Sequence, residues 1–235
     1  MAINYKFSFL KKISLSVLLM MGVFILCLWG LFIVADMIFE DKDFSFDERV
    51  FTLIKPWVSP LHTSIMQVIT FIGSQNFLLP ANLLLIGFYL FFRKNRSRAY
   101  KIATISISSV VVMFLMKFFL QRERPLVPLI AKVHGYSFPS GHTFTSVTFY
   151  GIIAYIIYKN VKHSFLKWLL IILCIILILL VGYSRVYLRL HYASDVIAAF
   201  CLGLIWLVLA KWFLVHADKS NPVSPQNQAW YWLQF

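Results

Sequence analysis

Three short stretches of this chain hold side chains suited to breaking a phosphate ester. They are Lys117-x6-Arg124-Pro125, then Pro139-Ser140-Gly141-His142, then Ser184-Arg185-x5-His191-x3-Asp195. Together they supply three cations to hold an anion, two histidines to divide the roles of nucleophile and acid, and one carboxylate to orient a histidine. His191 and Asp195 stand at i, i+4, so on a helix they share a face. The carboxylate can then fix the imidazole tautomer and leave the other ring nitrogen as the nucleophile. Arg185 offers a guanidinium fork that matches phosphate oxygens. Ser184 either donates a further hydrogen bond or finishes its helix.

Ser140-Gly141-His142 runs directly into an apolar stretch. Its backbone N–H groups at a helix start form an anion site, with Gly141 allowing close approach. Ser140 can donate its hydroxyl to an oxygen, and His142 is placed to protonate a leaving group. Lys117 lies near the end of an apolar run, and Arg124 follows two helical turns later, with Pro125 ending that helix. Arg122 and Glu123 read as a solvated or ion-paired rim. Each piece has a plainer reading: Pro-Ser-Gly-His as a turn and cap, Lys117 as a snorkelling side chain, His191 and Asp195 as a helix-start pair. Their coincidence in one chain carries more weight than any single motif.

The elements that must position these residues are membrane helices. The chain is 60% hydrophobic and only 13% charged, where soluble domains carry about a quarter charged residues. The expected class is all-α and polytopic, with six transmembrane helices at about 13–39, 77–92, 102–120, 142–158, 165–182 and 192–215, and a short interfacial helix over 61–74. Residues 1–12 form an N-terminal arm and 216–235 a polar tail ending in Trp230-Tyr231-Trp232. The acidic 40–48 stretch is expected to face solvent. The net charge of +13 does not mark a nucleic-acid partner, because the basic residues punctuate the apolar runs. Thirteen of the 22 Lys and Arg residues fall on the side holding both termini, which the positive-inside rule makes cytoplasmic. All three motifs then share the outer face. Cys27, Cys174 and Cys201 lie within apolar runs and imply no disulfide framework.

With these residues in view, the chain resembles the type 2 phosphatidic acid phosphatase superfamily of membrane lipid phosphatases. Every fixed position of that family's three-part pattern is present in order, and the six-span layout is similar to that of its bacterial phosphatidylglycerophosphatase B-type members. The resemblance covers about residues 10–215. It implies that His191 attacks phosphorus and forms a phosphohistidine, that Asp195 orients it, and that His142 acts as general acid. It implies that Lys117, Arg124, Ser140, Gly141 and Arg185 hold the phosphate oxygens, with Pro125, Pro139 and Ser184 in support. It implies no metal and no cofactor, and Asp195 with Glu123 are too few carboxylates for a two-metal hydrolase. The implied substrate is a lipid phosphate at the outer face of a bacterial plasma membrane, with undecaprenyl pyrophosphate or phosphatidylglycerol phosphate favoured and membrane lipids as the surrounding partner. Two other readings keep the same chain: a phosphotransferase with a lipid or sugar acceptor, and a non-catalytic transporter or scaffold.

Overall fold

The computed structural model describes residues 15–131 and 133–220, with side-chain surroundings for 17–131 and 133–212. The 1–12 arm and the Trp230-Tyr231-Trp232 end lie outside the described residues. Among the described residues the fold is all-helical. It runs α1 (Leu15–Ala35), α2 (Ser45–Ile54), α3 (Pro60–Ile72), α4 (Gln75–Gly87), α5 (Arg96–Leu120), α6 (Gly141–Asn160), α7 (Ser164–Tyr187) and α8 (Ala193–Ser220). π-helical turns extend α1 through Asp36–Glu40 and α4 through Phe88–Phe92.

Local chemistry sets the boundaries. Ser59 caps α3 by accepting from the His62 amide, with Pro60 at the first helical position, where its missing N–H is no loss. Asn95 caps α5 by accepting from the Arg98 amide at 3.0 Å. That helix stops at Gln121, which turns left-handed at φ 37°.

Among the described residues, five stretches are long and apolar enough to cross a membrane: Val17–Glu40, Pro60–Phe92, Arg96–Leu120, Ser164–Tyr187 and Ala193–Trp212. The outward faces of α1, α5 and α7 carry large apolar side chains such as Trp29, Phe32, Phe114, Phe119 and Trp168, as lipid contact requires. The protein is a membrane protein. The expected fourth span, α6, is absent from these five. It sits at the centre, packed against α4, α5, α7 and α8, so its own composition need not be apolar. Two of its hydroxyls are satisfied within the helix: Thr145 donates to the Gly141 carbonyl and Thr148 to that of Phe144, the back-bonding available to hydroxyls in a buried helix.

The expected span at 77–92 begins earlier. α3 and α4 form one 33-residue apolar run, broken at Gly73-Ser74. The break allows a close approach: a Cβ on Gly73 would stand 2.4 Å from Val181 Cγ1 and 2.9 Å from Ser146 Oγ. The end of α3 is held inside the bundle, since Tyr150 donates to the Ile72 carbonyl at 3.1 Å.

Candidate active site

The site forms where one end of α5, the 121–140 loop, the start of α6, the end of α7 and the start of α8 converge. Helix α7 runs five residues beyond the expected 182, so Ser184 and Arg185 lie on its last turns. A tight turn then carries His191, whose backbone N–H donates to the Arg185 carbonyl at 3.2 Å. Helix α8 begins at Ala193. His191 therefore precedes the helix, and its i, i+4 relation to Asp195 is made by a turn instead of a shared helical face. Asp195 in the first turn accepts from the Tyr192 amide at 2.9 Å, closing the helix start with a side-chain oxygen.

His191 Nδ1 stands 3.6 Å from Asp195 Oδ2, beyond direct hydrogen-bond range. Ser137 bridges the gap: its hydroxyl donates to Asp195 Oδ2 and lies 3.4 Å from His191 Nδ1. The other ring nitrogen, Nε2, faces an Arg124 guanidinium nitrogen at 3.3 Å. Burial drives the His191 pKa down to about 4, with the Asp195 charge opposing that shift and the Arg185 and Arg124 charges adding to it. His191 is thus neutral from about pH 5 upward. Histidine-selective 15N NMR should show its ring unprotonated at pH 5.5, where an ordinary histidine with a pKa near 6.5 is about nine-tenths charged. A midpoint above 6 would contradict this environment.

The expected cations come together. Lys117, Arg124 and Arg185 all bear electrostatically on His142, as does His191. Lys117 Nζ donates to the Tyr136 carbonyl at 2.6 Å. Arg124 does not extend α5, which has ended at Leu120, so Pro125 does not terminate that helix. Arg124 reaches in from the loop, held by the carbonyls of Gly135 at 2.9 Å and Leu190 at 2.7 Å. Burial holds its pKa below the usual arginine value, with Asp195 opposing. Arg185 donates to Thr70 Oγ1 on α3 at 2.7 Å. Its Nε is buried without a hydrogen-bond acceptor among the described residues, which suits a ligand oxygen.

Of the Pro-Ser-Gly-His residues, Pro139 and Ser140 are buried. The Ser140 amide donates to the Asp195 carbonyl at 3.2 Å, tying the start of α6 to α8. The Ser140 hydroxyl is turned to Thr143 Oγ1 at 3.0 Å. A Cβ on Gly141 would meet only Lys117 Cε, at 3.9 Å. The first amides of α6 therefore open beside the Lys117 side chain. The Ser184 hydroxyl donates back to the Val181 carbonyl at 2.7 Å, and the helix continues past it to Tyr187.

Two expectations are corrected here. Of the solvated or ion-paired rim expected at Arg122, the ion pairing holds and the rim does not: it is 7% exposed and paired on both sides. It donates to Asp195 Oδ1 at 2.6 Å, Ser194 Oγ at 2.8 Å and Asp47 Oδ2 at 2.8 Å. Its guanidinium lies 4.1 Å from the centre of the Tyr192 ring. The acidic 40–48 stretch does not simply face solvent either, because Asp47 is wholly buried and also accepts from the Ser194 amide and hydroxyl. A pattern could have found Asp47. It lies with Val50, Phe51 and Ile54 at helical spacing, and those three pack against Val186, Ala193 and Val196, so its stripe of α2 faces the core. For Ser137 and Arg122 no comparable periodic signal exists.

The electrostatic balance favours an anion of charge near −2. Arg122 between Asp47 and Asp195 leaves one net negative charge, and Lys117, Arg124 and Arg185 leave a surplus of two positive charges. A phosphate monoester carries about −1.5 to −2 at pH 7.

Phosphatidylglycerophosphatase B of Bacillus subtilis (strain 168) is 29% identical over 178 residues, 74% of this chain and 84% of that protein. An undecaprenyl-diphosphatase of Sulfolobus acidocaldarius is 26% identical over 194 residues, 80% of this chain and 86% of that protein. The crystal structure of a transmembrane PAP2-type phosphatidylglycerolphosphate phosphatase from Bacillus subtilis superposes with a TM-score of 0.74 at 27% identity, covering 86% of this chain and 98% of that one. Aquifex aeolicus LpxE shares the fold, with a TM-score of 0.56 at 23% identity, covering 72% of this chain and 97% of that one. The PAP2 superfamily model matches residues 98–218, just over half of the chain and every one of the three motif stretches, and the chain belongs to the PAP2 superfamily.

Proposed function

We propose that this protein is a membrane lipid phosphatase that hydrolyses a lipid phosphate or pyrophosphate at the outer membrane face through a phosphohistidine. The observation that carries this reading is His191, neutral by burial, with Nδ1 on the Ser137 and Asp195 side and Nε2 facing Arg124. Nε2 attacks phosphorus, and the bond from phosphorus to the lipid oxygen breaks. Burial and the surrounding cations favour neutral His142 in the free protein; the bound phosphate dianion offsets those cations, so His142 takes up a proton with the substrate and gives it to that oxygen. A water then attacks the phosphohistidine, His142 takes a proton back, and the N–P bond breaks to release inorganic phosphate. Lys117, Arg124, Arg185 and the first amides of α6 hold the non-bridging oxygens as charge builds on them. Asp47 and Asp195 have their oxygens engaged by Arg122, Ser137, Ser194 and the Tyr192 amide, which supports a reaction driven by protein cations and not by a metal.

The topology that fits places both termini in the cytoplasm. Undecaprenyl pyrophosphate and phosphatidylglycerol phosphate are the substrates we assign, since they match two of the relatives, a phosphatidylglycerophosphatase and an undecaprenyl-diphosphatase, and present a phosphate at the interface. The test is phosphate release from a panel of lipid phosphates by the purified protein with EDTA present. Release that persists, fastest on one of these two lipids, is the expected result. Release abolished by EDTA and restored by a divalent cation would overturn the metal-independent reading. Transfer of labelled phosphate to an added lipid or sugar alcohol, with none freed, would instead establish the transferase.

His142→Ala separates the acid from the nucleophile. Its turnover of a lipid monophosphate, whose leaving alkoxide needs a proton, should fall by about 10²–10⁴-fold. An activated aryl phosphate, whose leaving group departs unprotonated, should lose far less in the first step. Equal losses on both substrates in the first step alone, read as the single-turnover rate of alcohol release, would contradict the general-acid role.

A further inference from the structure

A second site lies at the opposite end of the bundle. Lys211 on α8 follows Asp195 by 16 residues, about 24 Å along a helix. Asn160 on α6 follows His142 by 18 residues, about 27 Å. Between these helix ends and the start of α5 is a cavity of about 450 Å³. Arg98, Lys101, Lys159 and Lys211 line it, and its apolar part includes Ile152 and Leu207. None of the residues lining it is acidic. Lys159 lies within electrostatic reach of both Lys211 and Arg98, so the positive charges converge instead of spreading over the surface.

Among the described residues, Arg98, Lys159 and Lys211 meet no carboxylate, and the aromatic rings of Tyr89 and Tyr155 lie 5.8 Å from the Arg98 guanidinium and 5.9 Å from Lys159 Nζ. Lys211 Nζ sits 3.4 Å from the Met20 thioether sulfur, and an Arg98 NH group sits 3.4 Å from Asn160 Oδ1. Asn95 and Ser97, from the capped start of α5, also line the cavity, which adds the positive end of a helix dipole. A basic mouth above an apolar slot between membrane helices is complementary to a phosphate that carries an acyl chain. A free anion would use only the mouth, and an uncharged lipid only the slot.

We propose that this cavity binds an anionic phospholipid of the leaflet opposite the catalytic pocket. Its phosphate would sit among Arg98, Lys159 and Lys211, with part of an acyl chain against Ile152 and Leu207. The site is separate from catalysis, and the inference stands whether or not the assigned reaction is correct.

The test uses full-length protein in phosphatidylcholine nanodiscs titrated with dioleoylphosphatidylglycerol. Native mass spectrometry counts retained lipid and thermal melting follows stabilisation. Wild type should retain one phosphatidylglycerol and melt higher. The double variant Lys159→Gln/Lys211→Gln should bind it about 30-fold more weakly, at about 1 kcal/mol per basic residue. Ile156→Trp, which fills the slot, should also lose the lipid. Both variants should turn over a water-soluble phosphate ester at the wild-type rate. Undiminished lipid retention by the double variant would overturn the proposal. So would equal stabilisation by phosphatidylcholine alone, or by inorganic phosphate. Should Ile156→Trp fail to fold, the double variant at the cavity mouth still decides.

Discussion

His191→Ala is expected to leave no more than about one part in 10⁴ of wild-type turnover, because removing a nucleophile removes the step on which the other groups act. The residual reaction would come from the cations and the α6 amides, which still bind and polarise the phosphate. The measurement is steady-state phosphate release, paired with an acid-quenched search for labelled phosphohistidine. Label should appear in wild type, accumulate in His142→Ala if that residue also activates the water, and be absent in His191→Ala. A thermal melt guards against a trivial cause, since His191 is buried and its loss leaves a cavity. A well-folded His191→Ala protein turning over within tenfold of wild type would remove His191 from the mechanism.

Asp47→Ala is expected to be the most destabilising single change at the site. The Asp47 carboxylate is wholly buried and accepts from Arg122 at 2.8 Å, the Ser194 amide at 2.9 Å and the Ser194 hydroxyl at 2.6 Å. Its removal strands part of a buried guanidinium, and breaking a buried ion pair from one side costs about 3–5 kcal/mol. For a chain of this size that lowers the melting midpoint by about 6–20 °C. Activity should fall as well in the folded fraction, because Arg122 also holds Asp195. Asp47→Asn keeps an acceptor oxygen and should recover part of both losses. An Asp47→Ala protein with wild-type melting and kcat would show that the pair carries neither role.

Much of this site was legible in the chain, and the reasons differ by residue. Lys117, Arg124, His142, Arg185, His191 and Asp195 stand out because charge is costly in an apolar chain, so each occurrence needs an explanation. Spacing alone misled in two places. Lys117-x6-Arg124 reads as two helical turns, yet Gln121 ends the helix and a loop carries Arg124 inward. His191-x3-Asp195 reads as one helix face, yet the helix starts only at Ala193. In both cases the residue type was informative and the period was not, because boundaries depend on caps and turns that hydrophobic periodicity does not report.

Ser137 and Arg122 were illegible for another reason. Their importance comes from partners 58 and 73 residues away, contacts that exist only after the helices have packed. Asp47 falls between these cases: its helical stripe shows it facing inward, but its partners were hidden. The central helix α6 is the counterexample to composition. Its hydroxyls make it read as less apolar than its neighbours, although it is, with α8, one of the two most enclosed helices around the site.

The ion pair and hydrogen bonds joining Asp47, Arg122 and Ser194 also impose an order in time. Ser194 lies 147 residues after Asp47, so at ordinary synthesis rates the carboxylate emerges about 7–30 s before its last partner is made. Until then it must stay hydrated near the membrane surface, and α2 cannot settle against a helix that does not yet exist. Arg122 likewise waits for Ser194 and Asp195. Hydrolytic competence therefore appears late in biogenesis, in the same event that docks α2 and delivers Asp195 to His191. A chain interrupted before the turn that carries His191 would hold Lys117, Arg124 and His142 without His191 or Asp195, and on the proposed mechanism could not release phosphate while still being assembled.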